Sequence, residues 1–369
     1  MIRFDRNEFS GAFGDIGTDL PLLVGMILAA GLDSASVLIA FGLLQIGTAL
    51  TYGIPMPVQP LKAVATIVIA QRLQANIVHG AGIAIGATML LLTATGLLGW
   101  LARVVPKTVV RGIQFGLGLQ LSLLALTNYV QSDGLPGYLL AVVAAGITVA
   151  LLGNRRFPPA LFVIAAGVVY ATVVHGDVSV IASSTGFAIP KPALPTLDDI
   201  TTGFLLLALP QVPLSLGNSI LATQRIAADY FPERKFTITK IGFTYSLMNL
   251  AAPFLAGVPV CHGSGGMAGH YLFGARTGGS VVIYGALFLI LGLFFSAGFS
   301  SLIHVFPLPM LGVILLFEGV ALIRLLADTV TPPRDLGVAV IVGLLCAGLP
   351  YGYLIGLGTG LVLMKVLKH

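Results

Sequence analysis

The chain has 369 residues, of which 57% are hydrophobic and only 9% are charged. Soluble domains carry about 25% charged residues, so this composition excludes a water-soluble globular protein and indicates a membrane protein. The net charge of +5 comes from short loops between apolar segments, which is the positive-inside pattern of membrane proteins. We therefore expect the lipid bilayer, and not nucleic acid, as the chain's surroundings.

The N-terminus lacks the apolar run and small-residue cleavage site of a signal peptide, so we expect the first helix to direct its own insertion. A membrane-spanning helix needs roughly 20 apolar residues. In chain order, the apolar segments fall at about 9–30, 34–54, 77–100, 107–127, 137–153, 159–175, 201–222, 239–257, 280–298, 308–327, 335–348 and 351–367. Two further segments are too short to span alone, at 58–72 and 259–274. The sequence thus predicts an all-α polytopic membrane protein with 14 transmembrane segments.

The distribution of basic residues predicts the orientation. With the N-terminus inside, the inner loops hold most Lys and Arg residues, including Lys107, Arg111 and Arg225, while only Arg72 and Lys191 fall outside. Basic residues concentrate in cytoplasmic loops. We therefore expect a multi-pass protein of the cell (inner) membrane with both termini cytoplasmic.

A polar stretch at 176–199 divides the chain into a first repeat, 1–175, and a second repeat, 200–369, with seven segments each. The halves resemble each other weakly: residues 54–58 read IPMPV and residues 257–260 read GVPV. An odd number of spans per repeat inserts the two copies upside down relative to each other. That arrangement is the inverted repeat of secondary transporters, and we expect 176–199 to be an extracytoplasmic linker.

Each half contains one broken helix, in segments 3 and 10. Gln59, Pro60 and Lys62 follow the first break, where we expect a half-helix to begin near Gln59. The second break contains His262, Gly263, Ser264, Gly265 and Gly266. Two half-helix N-termini facing each other at mid-membrane present free N–H donors and positive dipole ends, which favour an anion. The alternative is that these Pro and Gly residues only kink the helices for packing.

Polar residues elsewhere extend the candidate site. The eighth segment carries polar residues at helical spacing: Gln211, Ser215 and Asn218. They either line the site or make hydrogen bonds between helices. Lys62 either contributes positive charge to the anion site or pairs with an acid. His262 is a candidate donor to an oxyanion.

Asp15 and Asp19 lie one turn apart in the first segment, where carboxylates are costly. We expect them to couple transport to a proton or another cation. The alternative is that Asp15 caps a helix or pairs with Lys62. The sequence contains no phosphate-binding loop, nucleophile elbow or HExxH motif, so we expect neither ATP-driven transport nor an enzyme. The two cysteines, Cys261 and Cys346, do not have a metal-ligand spacing, and we expect no cofactor and no bound metal.

At these positions the sequence resembles the molybdate transporter family, a relative of the sulfate permeases that lacks their C-terminal cytosolic domain. The resemblance is carried by the motifs at 13–18 (FGDIGT), 55–62 (PMPVQPLK), 209–219 (LPQVPLSLGNS), 259–266 (PVCHGSGG) and 271–276 (YLFGAR). It implies a seven-plus-seven inverted repeat with core and gate domains, and a tetrahedral oxyanion held between segments 3 and 10. It also makes a homodimer plausible.

The sequence therefore predicts a secondary active transporter of a tetrahedral oxyanion, and the resemblance implies that this oxyanion is molybdate. Sulfate is the first alternative substrate. A nucleobase or bicarbonate carrier of the same fold and a passive anion channel are the others. A neutral planar base would favour acidic and amide partners over helix dipole ends, and a channel would leave Asp15 and Asp19 without a coupling role.

Overall fold

The structure is a computed structural model that describes residues 2–152, 154, 157, 159–174 and 185–367. Nearly all of these residues are helical. The first half comprises α1 (Arg6–Ala12), α2 (Ile16–Ala30), α3 (Ser34–Tyr52), β1 (Val58–Pro60), α4 (Lys62–Gln71), α5 (Ala75–Ala94), α6 (Leu98–Val104), α7 (Lys107–Leu124), α8 (Gly134–Ala150) and α9 (Pro159–Val174).

The second half comprises α10 (Leu197–Tyr230), α11 (Ile238–Ala251), β2 (Val260–His262), α12 (Ser264–Leu272), α13 (Gly279–Phe294), α14 (Ser296–Val305), α15 (Leu308–Arg324), α16 (Pro333–Gly348) and α17 (Gly352–Val366). A π-helical turn, Ala125–Tyr129, continues α7. Short 3₁₀ turns follow α11 at Ala252–Leu255 and α15 at Leu325–Thr329.

The helices cover the predicted apolar segments. Among the described residues, five helices are long and apolar enough to cross a membrane, or seven if each of two bent helix pairs counts as one span. The short helices α6 and α14 were not predicted. Residues 176–184 of the predicted linker lie outside the described residues, and α10 already begins at Leu197 within its last residues. The chain is thus a multi-pass membrane protein, while the count of fourteen spans and their inverted repeat stay predictions.

Local sequence signals account for the ends of α3. The Asp33 carboxylate accepts a hydrogen bond from the Ser36 amide at 2.9 Å, which satisfies one of the unpaired N–H groups of the first turn. At the other end, Gly53 adopts a left-handed conformation (φ 65°) and donates to the Ala49 carbonyl oxygen. Glycine takes this conformation without steric cost. The helix therefore stops before the break that carries β1.

The helices pack into two groups. In the first, α3 packs along α13, and α5 lies against α10 and α11. In the second, α7 packs against α15 and α16, and α16 against α17. Close approach is possible because small residues lie at the crossings: a Cβ at Gly42 would be 2.6 Å from the Gly285 carbonyl oxygen. The two groups meet where α2 contacts α15 and where α4 contacts α7.

Glu8 fixes α1 to the start of α13. Its side chain is buried, with 1% of its surface exposed. One carboxylate oxygen accepts from the amides of Arg276 (3.0 Å) and Thr277 (2.8 Å), and the other from the amide of Ser280 (3.0 Å). A carboxylate at a helix N-terminus satisfies N–H groups that lack intrahelical partners and complements the helix dipole. The first and eleventh predicted segments are thereby joined.

Candidate functional site

The two breaks in the chain meet as a two-stranded antiparallel ribbon. In its register Val58 lies opposite His262, Gln59 opposite Cys261, and Pro60 opposite Val260. Each strand leads directly into a short helix, β1 into α4 and β2 into α12. The pairing therefore places the N-termini of two helices, one from each half of the chain, at the two ends of a ribbon only three residue pairs long.

Buried amide side chains complete the hydrogen bonding of this ribbon. The Gln45 amide donates to the Val58 carbonyl oxygen at 2.7 Å and accepts from the Val58 N–H at 2.8 Å. Asn249 does the same for Val260, at 2.7 Å and 2.9 Å. Backbone groups at membrane depth must be satisfied inside the protein. A two-stranded ribbon is tolerated here because each outer edge has its own side-chain partner.

The half-helix after the first break, α4, begins later than the sequence predicts. Gln59 and Pro60 belong to β1, and α4 begins at Lys62 and not near Gln59. The reason is that the ribbon continues: the Leu61 amide donates to the Pro259 carbonyl oxygen at 3.0 Å. In α12, by contrast, Ser264 is the first helical residue, so Ser264, Gly265 and Gly266 form the first turn. The first intrahelical hydrogen bond runs from the Met267 amide to the Gly263 carbonyl oxygen at 2.9 Å. The N–H groups of the three residues before Met267 therefore have no partner within the helix.

A cavity of about 380 Å³ lies at these helix starts. Seven of the predicted site residues line it: Gln59, Lys62, Gln211, Asn218, His262, Ser264 and Gly265. Its wall also includes Ser219, Cys261 and, from α7, Arg111 and Gln114. Among the described residues that line the cavity, two are permanently cationic and none is acidic. Such a lining suits an anion.

The other predicted residues lie behind the cavity wall. Pro60, Gly263 and Gly266 do not line it. The two glycines permit close packing: a Cβ at Gly263 would be 2.3 Å from the Gln59 side chain, and one at Gly266 would be 2.1 Å from a carboxylate oxygen of Asp15. The two glycines therefore allow the close packing that seats the ribbon.

Asp15 and Asp19 are both buried and also lie outside the cavity lining. Both oxygens of Asp15 accept from Gln59 Nε2, at 2.7 Å and 2.9 Å. Asp15 precedes α2, but its side chain accepts no capping hydrogen bond. Asp19 Oδ2 accepts from the Tyr284 hydroxyl at 3.1 Å, while its Oδ1 has no partner among the described residues. Gln59 thus separates the cavity from a pair of buried acids.

Lys62 pairs with an acid and also lines the cavity. Its ammonium lies 3.2 Å from Glu318 Oε2, and Glu318 Oε1 accepts from the Thr18 hydroxyl at 2.9 Å. The alternative in which Asp15 pairs directly with Lys62 is not what the contacts show, because the hydrogen bonds to Asp15 come from Gln59. Glu318 on α15 therefore links Lys62 and α2 of the first helix group to the second group.

Helix α10 carries Gln211 and Asn218 to the cavity through irregular turns. Pro213 lacks an N–H and clashes with a regular α-helical turn, and the π-helical segment Ser215–Leu221 follows it. Such wide turns are frequent at functional sites. Gln211 Oε1 accepts from the Ala63 amide at 3.2 Å, and its Nε2 donates to the Ser215 hydroxyl at 3.0 Å. Gln211 therefore both lines the cavity and makes the interhelical hydrogen bond that was its alternative role.

His262 lies in the cavity wall at the end of β2. Its Nε2 is 2.7 Å from the Thr244 hydroxyl oxygen, and its buried Nδ1 has no partner among the described residues. The ring is fully buried. The protein thus holds the ring by one nitrogen, and the other nitrogen has no hydrogen-bond partner among the described residues.

Arg111 and Gln114 are the site residues that sequence reasoning missed. Arg111 was assigned to an inner loop, but it lies one turn inside α7, where it lines the cavity. Its guanidinium donates to Gln114 Oε1 at 2.8 Å and pairs with Asp328. The sequence does contain a signal, because Arg111 and Gln114 are polar residues three positions apart in an apolar helix. Buried polar residues of membrane helices mark functional sites.

Comparisons with known proteins identify the family of the chain. The family model described as "Molybdate transporter of MFS superfamily" matches residues 7–121 and 203–322, which include β1, α4, β2 and α12. The chain belongs to the molybdate transporter family. Molybdate transporter 2 of Arabidopsis thaliana is 33% identical over 98% of this chain and 87% of that protein.

Two solved structures share the fold of this member of the molybdate transporter family. The transmembrane domain of a cyanobacterial bicarbonate transporter matches with a TM-score of 0.71 and 17% identity over 97% of this chain and 98% of that one. A murine anion transporter, Solute Carrier 26 family member A9 in the inward-facing state, matches with a TM-score of 0.74 and 13% identity, over 100% of this chain and 69% of that one. The protein is thus a membrane transporter of anions and not an enzyme.

Proposed function

We propose that this protein is a secondary active transporter of molybdate, bound in the 380 Å³ cavity at the starts of α4 and α12. The observation that carries the proposal is the lining itself, in which Lys62, Arg111 and two helix N-termini meet without an acidic side chain among the described residues. Dipole ends and free N–H groups favour tetrahedral oxyanions. A neutral planar nucleobase would instead need acidic partners.

The choice of molybdate over sulfate follows the family and the relatives, since both dianions fit the chemistry of the lining. The fold similarity to a bicarbonate transporter keeps that smaller, monovalent anion as a competing substrate. Binding measurements with all three anions distinguish them.

The proposed architecture is a seven-plus-seven inverted repeat, with 1–175 and 200–369 as the repeats and 176–199 as the linker. The symmetric roles of Gln45 at Val58 and Asn249 at Val260 support it. In this arrangement the first helix group is the core domain and the second the gate domain. We place both termini in the cytoplasm and the protein in the inner membrane, and we expect it to form a homodimer.

The cavity continues toward the proposed cytoplasmic side. A neighbouring cavity of about 280 Å³ shares Arg111, Asn218 and Ala222 with it and extends to Lys107 at the start of α7. Lys107 lies at the end of α7 that the charge distribution places inside. We therefore assign the structure to an inward-facing state.

Binding to purified protein tests the site. Molybdate and sulfate are titrated calorimetrically into the wild type and into Gln59→Ala and Ser264→Ala. Ser301→Ala is the control, since the Ser301 hydroxyl donates to the Ala297 carbonyl oxygen within α14 and does not line the cavity. Losing one hydrogen bond to a charged ligand weakens binding by about tenfold or more, so both cavity variants should lose affinity and the control should not.

Each other outcome has a definite meaning. Tighter binding of sulfate would keep the site and change the substrate. Binding of bicarbonate or uracil with no response to either dianion would refute the oxyanion assignment.

Asp15 and Gln59 together provide a route for coupling. An ionised Asp15 only accepts hydrogen bonds and holds Gln59 Nε2 away from the cavity. A protonated Asp15 donates to Gln59 Oε1 instead, and the amide can then turn its N–H groups toward the anion. Asp19, with one oxygen unpartnered, is the second candidate for the coupling proton or cation.

The variant Asp15→Asn tests this coupling, because an asparagine amide can donate to Gln59 as a protonated acid does. We expect molybdate affinity to change by less than about threefold, while uptake into proteoliposomes no longer responds to a proton gradient. Asp33→Asn is the control, since that acid pairs with Lys191 at the far end of α2. Gradient-dependent uptake by Asp15→Asn would show that Asp15 is not the coupling group.

A further inference from the structure

Two residues of helix α7 that line the cavity each carry a buried hydrogen-bond donor without a partner among the described residues. Gln114 is fully buried, and its Oε1 accepts from Arg111 Nη1 at 2.8 Å, which fixes the orientation of the amide. Its Nε2 then has no partner among the described residues. Arg111 Nε is likewise buried and unpartnered. Both residues line the 380 Å³ cavity.

Unpaired buried donors are rare because each forfeits the hydrogen bonds it makes with water. A second glutamine on the same helix shows the usual solution. Gln120 Nε2 donates to the carbonyl oxygens of Cys346 and Ala347, at 3.4 Å and 3.3 Å, and its Oε1 accepts from the Tyr353 hydroxyl. Gln120 does not line the cavity. The unsatisfied amide is thus confined to the glutamine that faces the proposed ligand.

The charges on the cavity wall are also arranged in pairs. Lys62 pairs with Glu318 on α15, and Arg111 pairs with Asp328 in the 3₁₀ turn that continues α15. Both counter-ions approach from outside the lining, so the cavity faces two cations from two helix groups. Both cations attract a dianion placed between them more strongly than a monoanion of the same shape, because the Coulomb energy grows with the charge of the ligand.

We infer that Arg111 and Gln114 form a second binding element for the oxyanion, and that Arg111 together with Lys62 selects dianions over monoanions. Gln114 donates from Nε2, and Arg111 supplies charge and its free Nε–H. The bound dianion bridges the helix group of α4 and α12 to that of α7, and it competes with Glu318 and Asp328 for their cations. This inference rests on the proposed oxyanion site.

Molybdate and perrhenate provide a matched pair of probes, because both are tetrahedral oxyanions of a heavy metal and they differ by one unit of charge. Their dissociation constants are measured by calorimetry on the purified full-length wild type, Gln114→Ala, Arg111→Gln and the control Gln120→Ala, with the melting temperature of each. Arg111→Lys is added because it keeps the charge and loses the planar group.

The wild type should bind molybdate more tightly than perrhenate. Gln114→Ala should weaken both by roughly tenfold, the effect of one hydrogen bond to a charged group, with little change in melting temperature. Arg111→Gln should weaken molybdate by about tenfold more than perrhenate, and Arg111→Lys should keep the selectivity for charge. Gln120→Ala should melt at a lower temperature with unchanged affinities.

Other results would overturn the inference. If the wild type binds molybdate and Gln114→Ala binds it equally well, Gln114 is not a ligand and the two-residue binding element is refuted, although the proposed function stands. Equal weakening of both anions by Arg111→Gln would remove the charge-selective role. If the wild type binds neither molybdate nor sulfate, the proposed function itself fails, and this inference fails with it.

Discussion

Replacing Gly266 by alanine is expected to abolish transport and to lower the stability of the protein. The new Cβ would lie 2.1 Å from a carboxylate oxygen of Asp15 and 2.7 Å from the Pro57 ring. Neither neighbour can retreat easily, because Asp15 is held by Gln59 and Pro57 leads into the ribbon. Overpacking of a close-packed interior costs about 1–3 kcal/mol, and here it also displaces the proposed coupling acid.

The adjacent residue is the matched control. A Cβ at Gly265 meets nothing within 4 Å, because this glycine faces the cavity. Gly265→Ala should therefore fold like the wild type and reduce only the affinity for molybdate. The comparison is made by thermal unfolding in detergent and by uptake into proteoliposomes. A Gly266→Ala variant that is as stable and as active as the wild type would contradict the close approach of α12 to Asp15.

Replacing Asn249 by alanine is expected to destabilise the ribbon strongly. The variant leaves both the N–H and the carbonyl oxygen of Val260 without their partner, and the position is fully buried. An unsatisfied buried polar group costs about 1–3 kcal/mol, so the two groups together cost roughly 2–6 kcal/mol. Gln45→Ala should have a similar effect through Val58.

The size of the effect is measured as the change in melting temperature, with Asn128→Ala as the control because Asn128 is exposed on the continuation of α7. We also expect both ribbon variants to lose molybdate binding, since the strands position the starts of α4 and α12. An Asn249→Ala protein that has the same melting temperature as the control and binds molybdate normally would mean that other groups form the hydrogen bonds at the ribbon edges.

The sequence predicts the secondary structure of this protein well for a physical reason. Lipid requires long apolar segments, and Pro and Gly at 55–60 and 257–266 mark where a helix cannot continue. The helices accordingly cover the predicted segments. The start of α4 was placed three residues early, near Gln59 in place of Lys62, because a proline pattern fits both the first turn of a helix and the end of a strand.

The contacts of the site were much less predictable. Seven predicted residues line the cavity, since polar groups in a broken membrane helix seldom have another purpose. Their partners could not be read from the chain: Lys62 pairs with Glu318, which is 256 positions away. Arg111 was misplaced because a basic residue near a helix end fits an inner loop and a cavity wall equally well. Hydropathy reports depth in the membrane and carries no information on which faces meet.

The capping of α13 by Glu8 sets an order for the assembly of the protein during synthesis. The amides that Glu8 binds belong to residues 268 to 272 positions further along the chain. At about 5–20 residues per second, the ribosome reaches them roughly 15 to 50 s after Glu8 is made. For that time the N-terminal helix has a carboxylate without its final partners. Glu8 therefore cannot make its native hydrogen bonds until the start of the eleventh segment has been synthesised.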